Sequence, residues 1–383
     1  MKRNYIAKRF QHAGSGLSLD TEALAKYKDI IDLSIGDTDF ITDEGIINAA
    51  FRDAKAGYTR YGDPKGDPEL IDAVCRAWQE DFDQTLPHDH VLVSASSCLG
   101  MALVMFSILD PGDEVIVFSP YFPMYRTQIE LAGGVCVDVP TYASEDYAID
   151  ETRLRAAITP RTKAIIFNNP TNPTGMAYGN DTLEMLARVA KEYDLLIAAD
   201  EIYTTYLYEG DFRPLRTLPG MAERTITLNS FSKNFLMTGW RVGVIIAEPE
   251  LLEVMNDING SLIYTAPSIS QRAAIHALTM RREIREKYVT AYRDRIFYTA
   301  DRIEKLPYLS LVRPKGTFYL VPGIEKTGLT DDEFCDALLN KAHVLVSHGK
   351  AFGTAGAGHF RIACTVGIDT LKIAFDRMEK LSF

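Results

Sequence analysis

The chain has 383 residues, 46% hydrophobic and 24% charged, a globular composition that excludes a disordered or fibrous chain. At roughly 100–200 residues per domain, that length predicts two packed domains. Lys plus Arg number 41 and Asp plus Glu 52, a net charge of −11, which argues against a nucleic-acid partner or an anionic membrane surface.

The basic stretch at residues 1–10 is followed by no apolar segment, so no secretory signal is read there. Helical spacing over residues 68–80 places Leu70, Ile71, Val74 and Trp78 on one face. Short apolar runs then recur at 91–93, 115–118, 164–167, 195–199, 225–228 and 242–247. They are continuous rather than alternating, as expected of strands covered on both faces in a mostly parallel sheet. Helical patterns lie between them, such as 182–193, and the longest apolar stretch, 99–109, falls short of the ~20 residues that span a bilayer. Beyond Pro267 a charge-rich helical segment over 269–305 leads to short strands at 310–312 and 317–321. A helix over 331–341 and a strand at 360–363 follow. The expected organisation is an N-terminal segment 1–40 joining a small domain, a large α/β domain over 41–270, and a small α+β domain over 271–383. The five cysteines (Cys75, Cys98, Cys136, Cys335, Cys364) form no CxxC pair, so a reduced, cytoplasmic setting is expected. The seven histidines show no metal spacing.

In open α/β sheets, ligands bind at the carboxyl ends of the strands. There the sequence places Ser94-Ala-Ser-Ser-Cys98, Asn168-Asn-Pro-Thr-Asn-Pro-Thr-Gly175, Asp200-Glu-Ile-Tyr203, Asn229-Ser-Phe-Ser-Lys233 and Gly239-Trp-Arg-Val-Gly243. Singly, each has a bland reading. Ser96 and Ser97 make a good helix N-cap, Asn172 sits in turn chemistry, and Lys233 would be a surface lysine. Together they bring a carboxylate, amides, hydroxyls, a phenol, a lysine and an arginine to one rim, more than packing requires.

In this order the motifs resemble the class I/II aminotransferases, pyridoxal-phosphate enzymes of fold type I, over residues 35–361. The resemblance implies a mostly parallel central sheet with helices on both faces plus a smaller α+β domain. It implies amino transfer between an L-amino acid and a 2-oxo acid, with 2-oxoglutarate as acceptor and ping-pong kinetics. Lys233 would hold the cofactor aldehyde as a Schiff base and Asp200 would pair with the pyridinium nitrogen. Asn172 and Tyr203 would hydrogen-bond the ring hydroxyl oxygen. Ser96, Ser97, Cys98, Ser230 and Ser232 would cradle the phosphate, and Arg241 would neutralise it. Phe122 falls where the family stacks an aromatic ring on the cofactor. Arg361, with Gly36 and Asn172, matches the grip on the substrate α-carboxylate. Tyr61, with Tyr58 as the alternative, matches the tyrosine that reaches the phosphate of a neighbouring subunit, which implies a homodimer.

Cys98 stands where some bacterial aspartate aminotransferases carry a lysine for the distal carboxylate, so neutral or aromatic donors are expected. The wall that discriminates side chains is expected near Cys98, Ser15 and the partner's Tyr61 loop. His348 falls on a family loop at the substrate entrance. Two other readings stand beside transamination. A pyridoxal-phosphate β-lyase acting on cystathionine-like substrates shares features of Gly36-Asp-Thr-Asp-Phe40 but commonly has a histidine where Thr171 stands. A non-catalytic cofactor-binding regulator would need a DNA-binding domain, and residues 1–30 carry no helix-turn-helix pattern.

Overall fold

The computed structural model describes Tyr5 and residues 26–383. Its strands are β1 (Ile31–Asp32), β2 (Val91–Ser94), β3 (Glu114–Ser119), β4 (Val135–Pro140), β5 (Thr162–Asn168) and β6 (Leu196–Asp200). They continue with β7 (Thr225–Ser230), β8 (Gly243–Ile246), β9 (Tyr319–Leu320), β10 (Val344–Leu345), β11 (Ser347–His348) and β12 (Phe360–Ala363). A seven-stranded sheet runs in the order β2-β8-β7-β6-β5-β3-β4. All its pairings are parallel except those of β8, which is antiparallel to both β2 and β7.

All six apolar runs are strands of this sheet, and the core shows why they are continuous. Val115 and Val117 face a layer built from helices Ser97–Ile108, Met124–Leu131 and Pro249–Leu262. Ile116 and Phe118 face the other side, where helices Glu151–Ala157 and Asn180–Glu192 pack. With both faces covered, no position along these strands favours a polar residue. The seventh strand, β4, is absent from the sequence reading. It lies at the sheet edge with Val135 47% exposed, and Asp138 interrupts its apolar residues.

Three expectations after Pro267 are corrected. The helical segment 269–305 is two helices, Ser268–Thr279 and Arg281–Ile303, divided at Met280. The Met280 N–H turns onto the carbonyls of His276 and Ala277, both at 3.1 Å, with no glycine or proline to mark the break in sequence. Residues 310–312 form no strand, because pairing stops at one bridge between Ser310 and Gly323. The helix expected over 331–341 is regular only over Asp331–Ala337, started by a Thr330/Glu333 capping box, and a wider turn covers Leu338–Ala342.

Near the N-terminus of the described chain, β1 pairs in parallel with β10, and the Ala363 N–H reaches the Leu33 carbonyl at 2.8 Å. β11, β12 and β9 form a separate antiparallel sheet. Among the described residues no helix is long and apolar enough to cross a membrane, and no His, Cys, Asp and Glu group could hold a metal.

Candidate active site

The carboxyl rim of the large sheet and the edge formed by β10, β11 and β12 enclose a cavity of about 1200 Å³. Every site residue expected from sequence lines it except Tyr61, which is 85% exposed and packs edge-on against Tyr264 at 5.1 Å, and its alternative Tyr58, which lies under Arg272. Ser15 lies outside the described residues.

Sheet register sets the floor. Asn168 pairs with Asp200 across β5 and β6, while Gly243 is paired with both Ser230 and Ser94. Because β8 runs backwards, its first residue lies at the rim where its neighbours end. Arg241 therefore arrives beside Ser230 from the opposite chain direction.

At one end of the floor, Ser96 caps helix Ser97–Ile108, its hydroxyl accepting from Leu99 N–H at 3.3 Å. Ser96 has φ 87° and Arg241 φ 53°, the left-handed side that non-glycine residues seldom take and that clusters at functional sites. Gly243 permits the close approach here, since a Cβ on it would stand 2.7 Å from Ser97 N. The Ser230 hydroxyl accepts from Ser232 N–H at 3.1 Å, and exposed Arg241 bonds the Thr238 carbonyl at 2.8 Å. Free N–H groups at a helix start, hydroxyls and a guanidinium make an anion cradle. Cys98 belongs to its wall. Burial pushes its thiol pKa up, so it is a packed group and not a ready nucleophile.

In the middle of the floor lies Asp200, 7% exposed. Its Oδ2 accepts a short hydrogen bond from the Tyr125 hydroxyl, and its Oδ1 is buried with no partner. Burial pushes this carboxyl up to about 6, against the Tyr125 bond and the Ile202 backbone N–H, which lower it. Sequence reasoning missed Tyr125, although it lies in the same segment as Phe122, with the two rings 5.6 Å apart and nearly perpendicular. It also missed Asn168, whose Oδ1 accepts from Asn172 N–H at 2.7 Å and whose Nδ2 donates to the Asp200 carbonyl at 2.8 Å. The Tyr203 hydroxyl meets that of Tyr319, also missed, at 3.2 Å. A carboxylate with a free buried oxygen calls for a cationic N–H donor.

The third group faces the floor from the smaller sheet. Arg361 is 3% exposed, yet its partners are neutral oxygens: Asn172 Oδ1 at 3.1 Å, Ser347 Oγ at 3.3 Å and the Ser34 carbonyl. Its Nε is buried without an acceptor, and its plane lies between Tyr319 and Phe352, 4.6 and 4.8 Å from the ring centres. Burial lowers its pKa from the usual arginine range. Lys233 Nζ donates to the Gly36 carbonyl, and its backbone carbonyl accepts from Tyr206 at 2.8 Å. His348 lines the mouth with Nδ1 2.9 Å from Asp332. An amine thus stands in one cavity with a buried acid and two guanidiniums, Arg241 and Arg361, neither of which hydrogen-bonds a carboxylate among the described residues.

A site of this make-up has the groups to hold small anionic molecules beside a lysine. The family model for aminotransferase class I and II matches residues 28–378. The aspartate aminotransferase of Pyrococcus abyssi is 36% identical over 372 residues, covering 93% of this chain and 92% of its own. The arginine–pyruvate transaminase AruH of Pseudomonas aeruginosa is 34% identical over 372 residues, 96% of this chain and 95% of its own. The solved structure of Thermus thermophilus aspartate aminotransferase with maleate superposes with a TM-score of 0.93 at 33% identity, covering 99% of this chain and 100% of that one. The chain belongs to the class I and II aminotransferases, pyridoxal-phosphate-dependent transaminases of the α/β fold described above. Its residues fit that cofactor: the orphaned Asp200 Oδ1 suits a protonated ring nitrogen, and the cradle kept open by Gly243 suits a phosphate.

Proposed function

We propose that the protein moves an amino group between an L-amino acid and a 2-oxo acid, with 2-oxoglutarate as acceptor, in two successive half-reactions. The observation that carries this reading is the free oxygen of Asp200 and the Arg361 guanidinium bonded only to neutral oxygens, both buried in the cavity that holds the Lys233 amine. Pyridoxal phosphate supplies the electron sink and the carrier of the amino group.

Lys233 Nζ is the amine that holds the cofactor aldehyde. With its amine free, Lys233 Nζ would be the base placed to carry a proton between the substrate Cα and the cofactor carbon on the far side of the shared nitrogen. Asp200 would hold a proton on the ring nitrogen, with Tyr125 engaging Oδ2 and leaving Oδ1 for that task. Asn172 and Tyr203 would hydrogen-bond the ring oxygen, and Phe122 would cover the ring. Ser96, Ser97, Cys98, Ser230 and Ser232 line the phosphate cradle and Arg241 balances its charge, because a buried anion without partners is costly. Arg361 forks onto the substrate α-carboxylate with Gly36 and Asn172 beside it. A planar guanidinium suits that group as an ammonium does not. Tyr61, exposed on its own protomer, completes the phosphate site of a second copy in a homodimer in the cytoplasm. With Cys98 where a lysine would meet a distal carboxylate, neutral and aromatic donors are favoured over aspartate.

The test is borohydride reduction of the yellow holoenzyme followed by peptide mapping, with a donor panel read as oxo-acid formation. The label is expected on Lys233, and varying the second substrate should give parallel double-reciprocal lines. A label on another lysine, or pyruvate release from cysteine conjugates without any oxo acid, would overturn the assignment.

A further inference from the structure

Residues Leu33 to Gly36 form a strap in which each carbonyl is bound by a different part of the site. Leu33 O accepts from Ala363 N–H at 2.8 Å, and Ser34 O accepts from Arg361 and from Ser347 Oγ, the latter at 2.9 Å. Ile35 O accepts from Thr365 Oγ1 at 3.0 Å, and Gly36 O from Lys233 Nζ. Gly36 sits so close to Tyr319 that a Cβ would fall 1.8 Å from its hydroxyl. The strap thus touches both the lysine and the carboxylate-binding arginine through its own backbone carbonyls.

A further anchor lies three residues on. Arg295, 6% exposed on helix Arg281–Ile303, forks onto Asp39 at 2.7 and 2.9 Å. Its guanidinium lies 4.6 Å from the centre of the Phe40 ring, which packs in turn on Tyr288 and Tyr292 at 5.0 and 5.6 Å. Thr38 Oγ1 makes a short hydrogen bond to Tyr292 and accepts from Phe40 N–H at 3.0 Å. A bidentate guanidinium–carboxylate pair fixes orientation as well as distance, and burial of the arginine strengthens it. A buried arginine facing one carboxylate would be costly to leave unpaired, so the strap has one resting place.

We infer that Asp39 and Arg295 are positioning residues for substrate binding: their fork holds the Gly36 backbone at the height where it and Arg361 receive the α-carboxylate together. The inference rests on the proposed reading of Arg361 and Gly36 as the carboxylate grip.

The test titrates propionate, a carboxylate with no amine to react, into the yellow holoenzyme and follows its absorbance, alongside donor kinetics and Tm. Asp39→Asn and Arg295→Lys should each raise the propionate Kd, and the KM of every donor, about tenfold, the size of one charged hydrogen bond. kcat should fall less than KM rises. Phe40→Leu, which thins the same packing but keeps the fork, should lower Tm with Kd and KM near wild type. Asp39→Asn with a wild-type propionate Kd and KM, whatever its Tm, would reduce the pair to a structural brace. An Arg361→Ala protein that binds propionate as tightly as wild type would instead remove the carboxylate-grip reading itself.

Discussion

Asp200→Asn should make the cofactor-free protein more stable at pH 8 and the holoenzyme nearly inactive. In the folded chain, burial raises this carboxyl from 3.8 to about 6. A carboxyl raised in this way contributes stability that is fully present below pH 3.8 and is lost as pH rises through about 6, because above it the fold must hold an unsolvated charge. At 1.36 kcal/mol for each tenfold change in proton affinity, the span is worth about 3 kcal/mol. The amide of the Asp200→Asn protein keeps an oxygen to accept from Tyr125 and carries no charge. Urea unfolding of both cofactor-free proteins should therefore give nearly equal stabilities at pH 4. The gap should widen to about 3 kcal/mol in favour of Asp200→Asn by pH 8. Neighbouring Glu201, pushed up to about 8 chiefly by burial, should add to it, because the substitution removes the carboxylate that repels its own. With cofactor bound the advantage should disappear and turnover should collapse, since a neutral amide does not hold the ring-nitrogen proton. A stability gap that ignores pH, or an Asp200→Asn enzyme with wild-type turnover, would refute this account of the site.

Arg361→Ala should reduce kcat/KM for aspartate, alanine, leucine and phenylalanine alike, by roughly 2–5 kcal/mol, the range for removing one partner of a buried charged pair. A loss confined to aspartate would show that the arginine reads side chains. Gly36→Ala should lose most activity through the clash with the Tyr319 hydroxyl, and Gly36→Ala/Tyr319→Phe should regain part of it. No recovery would place the cause in the backbone. Gly243→Ala pushes against the Ser97 backbone and should weaken cofactor affinity, measured by fluorescence titration, more than it lowers Tm; the reverse order would argue against an anion cradle there.

The sheet was legible where physics left one solution. Runs covered on both faces must be continuous and apolar, and β2, β3 and β5 to β8 announced themselves in that way. β4 failed to do so because it lies at the sheet edge with Asp138 breaking its apolar residues, and the break at Met280 failed because it is made by shared hydrogen bonds, with no residue of special backbone preference. In the cavity, Lys233 and Asp200 stood out through the order of the motifs at the strand ends, and Arg361 through the family resemblance, since singly each had a bland reading. Tyr125, Asn168 and Tyr319 did not. A buried tyrosine or asparagine looks like core or turn in sequence, and only its partner in space, Asp200, Asn172 or Tyr203, reveals that it serves the site. The Asp39–Arg295 fork spans 256 positions and is invisible to any local pattern.

The backward strand β8 makes the sheet a ruler. Ser94, Gly243 and Ser230 stand in one hydrogen-bonded row, so the width between the helix cap and the lysine-bearing turn is two strand spacings, about 10 Å, and β6 with Asp200 lies one spacing farther. That measure belongs to the backbone and does not change with the side chains above it. The mouth around His348 and Lys350 can therefore be remodelled for new substrates while the span between anion cradle and acid stays calibrated. Insertions within the segment joining β7 to β8 are the changes that would spoil the calibration.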